Sequence, residues 1–174
     1  KYALLQDFVW YLNILFQLGH TRGVETHADL LRAQIVDVAL RVLPVRAYAV
    51  RRSMEVLLEG EGSVSDEPYG DNGRGKNIMP EILPAAAWII GEYSDLISDA
   101  LKIEEDDEDE EFFFDDNSKG TYHAVIQALT TPSNTEKQPA NSQKVFVQAA
   151  MKVFAAASAD KRIENAELEA SLET

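Results

Sequence analysis

The sequence has no cysteine. Disulfide staples and thiolate metal sites are therefore excluded, and the composition suits a reducing compartment such as the cytosol. No apolar run approaches the roughly 20 residues that a bilayer-spanning helix needs, and no secretory signal opens the chain, so a membrane role is expected to be peripheral. A basic stripe able to neutralise phosphates is also lacking, which disfavours direct nucleic-acid binding. Nor does any stretch show the apolar/polar alternation of a strand.

What is present is a chain of 174 residues, 45% hydrophobic, enough for one sizeable core. It starts at Lys1 and is apolar from Leu4 onward, so it reads as a piece cut from a longer protein. The formal charge is −14, but it is unevenly placed. Residues 1–60 carry seven basic and six acidic side chains, whereas residues 104–116 carry ten acidic and no basic ones. Setting that segment aside leaves −4, so the acidity belongs to one stretch and says little about the fold.

Helical periods run along the rest. Residues 2–18 are apolar nearly all round, which predicts a helix flanked on several sides, including by helices outside this chain. Gly19 and Gly23 bracket a loop, and Thr26-His27-Ala28-Asp29 has the form of a capping box. The helix it starts buries Leu31, Ile35, Val38 and Val42, with Asp37 and Arg41 paired across one turn. Pro44 ends it. A third helix follows at once with Ala47, Val50, Met54 and Leu57 as its stripe, and the short connection predicts that these two helices form a hairpin.

Residues 60–77 read as a flexible loop, and residues 83–97 as a helix with Pro80 or Pro84 in its first turn. Inside that helix, Gly91 predicts the close approach of another helix, because a mid-helix glycine costs about 1 kcal/mol against alanine. Residues 122–129 make a short helix, 131–140 a polar loop opened by Pro132, and 142–157 a last helix on Val145, Ala149, Val153 and Ala156. The expected organisation is an all-α solenoid of stacked helical hairpins over residues 1–159, a globular bundle being the other arrangement the pattern fits, with flexible loops at 60–77 and 104–118, and a charged tail at 160–174 that is either helical or disordered.

Trp88-Ile89-Ile90-Gly91-Glu92-Tyr93 resembles the Trp-x-x-Gly-Glu-Tyr/Phe signature in the trunk of adaptin large chains and their coatomer relatives. Asp7-Phe8-Val9-Trp10-Tyr11, the string from Ala33 to Val42 and Ala85-Ala86-Ala87-Trp88-Ile89 look like the delta-type members. The resemblance implies a HEAT/armadillo-like trunk fragment, with no cofactor and no enzymatic activity. It implies a scaffold in a clathrin-type adaptor complex carrying protein from Golgi and endosome to lysosome or vacuole. The implied partners are a second large, a medium and a small chain, on the cytosolic face of membranes reached only through the complex. The alternative is another helical-repeat protein, such as a transport receptor that binds linear peptides. The acidic segment after the signature, and Pro84, depart from the family pattern.

The signature residues Trp88, Gly91, Glu92 and Tyr93 are expected to pack, with Glu92 a buried or half-buried carboxylate bound to amides or an arginine. Two candidate docking features remain. Phe112, Phe113 and Phe114 within the acidic segment could anchor a basic partner, against the ordinary reading of a solvated loop and a third in which they begin the next helix and pack on the trunk. Arg51 and Arg52, with Arg41 and Arg46, could form an acidic-partner or membrane-phosphate patch, against pairing with nearby acids. Residues 70–77 nearly spell a phosphate-binding loop, but Asn77 stands where the magnesium-binding hydroxyl belongs and no strand precedes it. His20, His27 and His123 have no mutual spacing for a metal.

Overall fold

A computed structural model describes residues 7–21, 23–62, 79–103, 118–136 and 138–172. Among them every regular element is helical: α1 Phe8–Gly19, α2 Ala28–Arg41, α3 Arg46–Gly62, α4 Leu83–Glu92, α5 Ile97–Ala100, α6 Ser118–Thr130, α7 Pro132–Thr135 and α8 Ala140–Leu172.

Asp7 starts α1 by accepting the amide of Trp10 at 2.9 Å through its Oδ1, so the helix begins at Phe8. The part of the expected first helix before Asp7 lies outside the described residues. Leu12, Leu15, Phe16 and Gly19 are buried, whereas Val9 and Trp10 remain 43% and 59% exposed. Among the described residues, then, α1 is covered on the side that carries Leu12, Leu15 and Phe16. Gly23 has φ +87°, a conformation that favours glycine, and it turns the chain toward α2. The expected capping box does not form. A 3₁₀ turn over Glu25–His27 leads into α2, and the Thr26 hydroxyl lies 3.0 Å from His27 Nδ1 instead of bonding the helix amides.

The hairpins are paired differently from the sequence expectation. α1 lies against α2, α3 against α4, and α6 against α8, while α2 and α3 touch only lightly across the 3₁₀ turn Leu43–Val45. α1, α3 and α6 then meet in succession, as do α2, α4 and α8. The result is an all-α solenoid of three stacked hairpins in two layers. The link that looked like a hairpin turn is the step between repeats: Pro44 makes it tight, and Val45 tucks into the core.

α3 is buried over most of its circumference, at Tyr48, Ala49, Val50, Met54, Val56 and Leu57, with Ala47 only half-buried. Such enclosure follows from its contacts, since α1, α4, α5, α6 and α7 all reach it. α4 lies between α3 and α8, and Pro84 occupies its first turn, where no hydrogen bond is lost. The expected single helix over 83–97 is broken. Tyr93 leaves the helical region at φ −114°, ψ 37°, a 3₁₀ turn follows over Ser94–Leu96, and α5 buries Ile97 and Ala100. α6 is longer than expected and starts at Ser118. The loop after it contains the single turn α7. α8 continues past residue 157 without interruption to Leu172. Of the two expected flexible loops, residues 60–62 belong to α3 and residue 118 to α6; the remainder lies outside the described residues.

Candidate functional site

The end of α4 collects interactions from both neighbouring hairpins. A Cβ on Gly91 would lie 2.7 Å from Ala149 Cα and 2.9 Å from Ala149 Cβ, so α4 and α8 approach as closely as their backbones allow. Trp88, half-buried, meets the Tyr93 ring edge to face at 6.2 Å and 84°. Tyr93 is buried, and the Arg46 guanidinium carbon stands 4.7 Å from its ring centroid. The same guanidinium donates to the carbonyls of Ala39 at 3.1 Å and Leu40 at 2.7 Å, near the C-terminal end of α2. These carbonyls belong to the last turn of a helix and have no intrahelical donor, so a cation there is doubly favoured.

Glu92 differs from expectation. Its side chain is 42% exposed, and it accepts from Lys152 Nζ of α8 at 2.7 Å rather than from amides or an arginine. Position 92 falls on the outer strip of α4, beside α8 and open to water.

The arginines form no surface patch around Arg51 and Arg52. Arg51 is 1% exposed; its Nε donates to Glu55 Oε1 at 3.1 Å, and its Nη1 donates to the carbonyl of Ile103 at the end of the α5 region. Arg52, 8% exposed, pairs with the other Glu55 oxygen. Arg41 pairs with Asp37 on the surface of α2. The reason is the enclosure of α3, which the second hairpin's position in the stack imposes and a single helix wheel cannot show. Phe112, Phe113 and Phe114, and the phosphate-loop spelling at 70–77, lie outside the described residues.

Three polar clusters lie beyond what the sequence pattern predicts. The Tyr122 hydroxyl on α6 donates to Asp160 on α8, and Ser98 on α5 donates to the same carboxylate oxygen at 3.2 Å. Burial, with the Asp160 bond and charge in support, pushes the Tyr122 hydroxyl up to about 12. Asn134 on α7, 3% exposed, donates to the carbonyls of Ala128 at 2.9 Å and Leu57 at 3.3 Å, fastening the last turn of α6 to α3. Gln138 donates to the carbonyl of Pro80 at 2.7 Å, tying the approach to α8 to the approach to α4. Asn134 and Gln138 sit in a segment that reads as a polar loop, so composition gives no sign that they are buried. Among the described residues no three His, Asp or Glu side chains gather where a metal could bind, and no helix is long and apolar enough to cross a membrane.

No protein-family model matches the chain, and no solved structure matches it. Curated relatives do. The AP-3 complex subunit delta of Dictyostelium discoideum is 38% identical over 104 residues, covering 58% of this chain and 8% of that protein. The AP-3 complex subunit delta-1 of Bos taurus is 30% identical over 156 residues, covering 90% of this chain and 10% of that protein. The AP-3 complex subunit delta of Arabidopsis thaliana is 26% identical over 153 residues, covering 88% and 14% respectively. The chain therefore spans only about a tenth of the length of the relatives it matches.

Proposed function

We propose, for a chain that belongs to the adaptin large-chain family and resembles its delta subunits, that this segment is a non-enzymatic scaffold in the trunk of an adaptor-complex subunit. The observation that carries the reading is the two-layer stack of hairpins, whose interactions at the end of α4 are spent on joining one repeat to the next. The Leu40 carbonyl at the end of α2 and the buried Asn134 amide are both engaged in structural bonds, and the named relatives are adaptor-complex subunits. The work of such a segment is to hold other chains at fixed distances. By likeness to those relatives, the chains would be a second large, a medium and a small subunit. The process would be vesicle transport of proteins from Golgi and endosome toward lysosome or vacuole. Membrane attachment would be peripheral, through the assembled complex on its cytosolic face.

The test is purification of the full-length chain with its bound proteins, identified by mass spectrometry. Stoichiometric recovery of a second large, a medium and a small chain is expected. Recovery of a lone GTPase or a cargo peptide in their place would refute the adaptor reading and favour a transport receptor.

A further inference from the structure

Three consecutive residues, Gly91, Glu92 and Tyr93, face both neighbours of the middle hairpin. On one side Gly91 brings α4 against the backbone of Ala149, and Glu92 reaches Lys152 two residues beyond the next position on α8. On the other side Tyr93 supports Arg46, whose guanidinium holds the carbonyls of Ala39 and Leu40 in the first hairpin. The two kinds of contact constrain spacing in opposite senses. Backbone against backbone cannot be relieved by a rotamer change, so the Gly91–Ala149 approach fixes how close hairpins two and three come. Hydrogen bonds lose their strength beyond a few tenths of an ångström, so the Arg46 bonds limit how far hairpins one and two separate. The curvature of a solenoid is the accumulated result of small rotations between repeats.

We infer that the end of α4 is a spacing gauge: Gly91 sets the step to the following hairpin, and Tyr93 through Arg46 sets the step to the preceding one, so that together they fix the curvature of this part of the stack. These are positioning residues, and they would act in the chain whatever partners bind it.

The absence of cysteine allows spin labels to be placed without background. One pair, at Leu30 on α2 and Met151 on α8, both exposed at 70% and 69%, spans the first and third hairpins. A control pair at Gln127 on α6 and Gln148 on α8, both exposed, lies within the third. Carbon atoms prefer separations of about 3.5–4.0 Å, so a methyl group at position 91 must move α8 by on the order of 1 Å. Pulsed electron paramagnetic resonance on Gly91→Ala should show a shift of about that size or larger between Leu30 and Met151, with the control pair unchanged. Arg46→Met should broaden the same long distance. A loss of melting temperature with both distributions identical to the parent would mean a merely local packing role and would overturn the gauge. If Gly91→Ala fails to fold, Arg46→Met decides alone: broadening supports the gauge, and an unchanged width overturns it.

Discussion

Replacing Arg51 with methionine removes the charge of the largest fully buried side chain among the described residues while keeping most of its stem. The loss includes the bond from Nε to Glu55 and the bond from Nη1 to the Ile103 carbonyl. Hydrogen bonds to charged groups contribute about 1.5–3 kcal/mol each, and stranding a buried ion costs about 3–5 kcal/mol. Glu55 is not stranded here, because Arg52 still pairs with it. Removing a buried cation also recovers part of its desolvation penalty. The net cost should therefore be about 2–3 kcal/mol, which for a chain of this size lowers the melting temperature by about 5–10 °C. Urea unfolding followed by circular dichroism measures it, with Arg41→Met as the control. Arg41 is 66% exposed, and its pair with Asp37 should contribute under about 1 kcal/mol. An Arg51→Met chain within about 0.5 kcal/mol of the parent would refute the enclosed-cation account. A stable variant that had lost binding to anionic vesicles would restore the surface-patch reading.

The raised hydroxyl of Tyr122 links stability to pH. Because its folded value, about 12, lies above the ordinary value of 10.0, the neutral form is the one that stabilises the fold. That contribution is complete below pH 10.0 and is lost as pH rises toward 12, so the parent should lose stability over that window more steeply than Tyr122→Phe in alkaline urea titrations. Asn134→Ala leaves the Leu57 and Ala128 carbonyls without this donor and should cost about 1–3 kcal/mol by thermal melts, with a neutral result counting against the fastening of α3 to α6. Glu92→Gln weakens only an exposed pair and should change stability by under about 1 kcal/mol. A larger loss would mean that the carboxylate has a buried role.

The helical class and the existence of a close contact at Gly91 were legible because both depend on local features: apolar period, small residues and helix-breaking positions. The pairing of hairpins was not. A short link between α2 and α3 looks the same whether the helices fold back on each other or step to the next repeat, and the choice rests on what α4 and α8 bury. Arg51 shows the same limit. Its neighbours Met54 and Leu57 mark one buried strip, yet α5, α6 and α7 cover the other sides from far along the chain. Asp7 is a milder case, since a polar residue at the edge of an apolar run can begin a helix or extend one. The exposure of Glu92 is likewise not a local property, since it depends on how closely α8 approaches the outer strip of α4.

The two-layer stack also bears on how the chain comes apart. α4 belongs to the middle hairpin, is buried at eight of its residues and contacts helices of all three repeats. Opening that starts at α1 or at the far end of α8 can proceed by losing one neighbour at a time, but it cannot pass α4 without breaking contacts on both sides at once. Amide hydrogens in α4 should therefore exchange with solvent at close to the rate of global unfolding, while those of α1 exchange earlier.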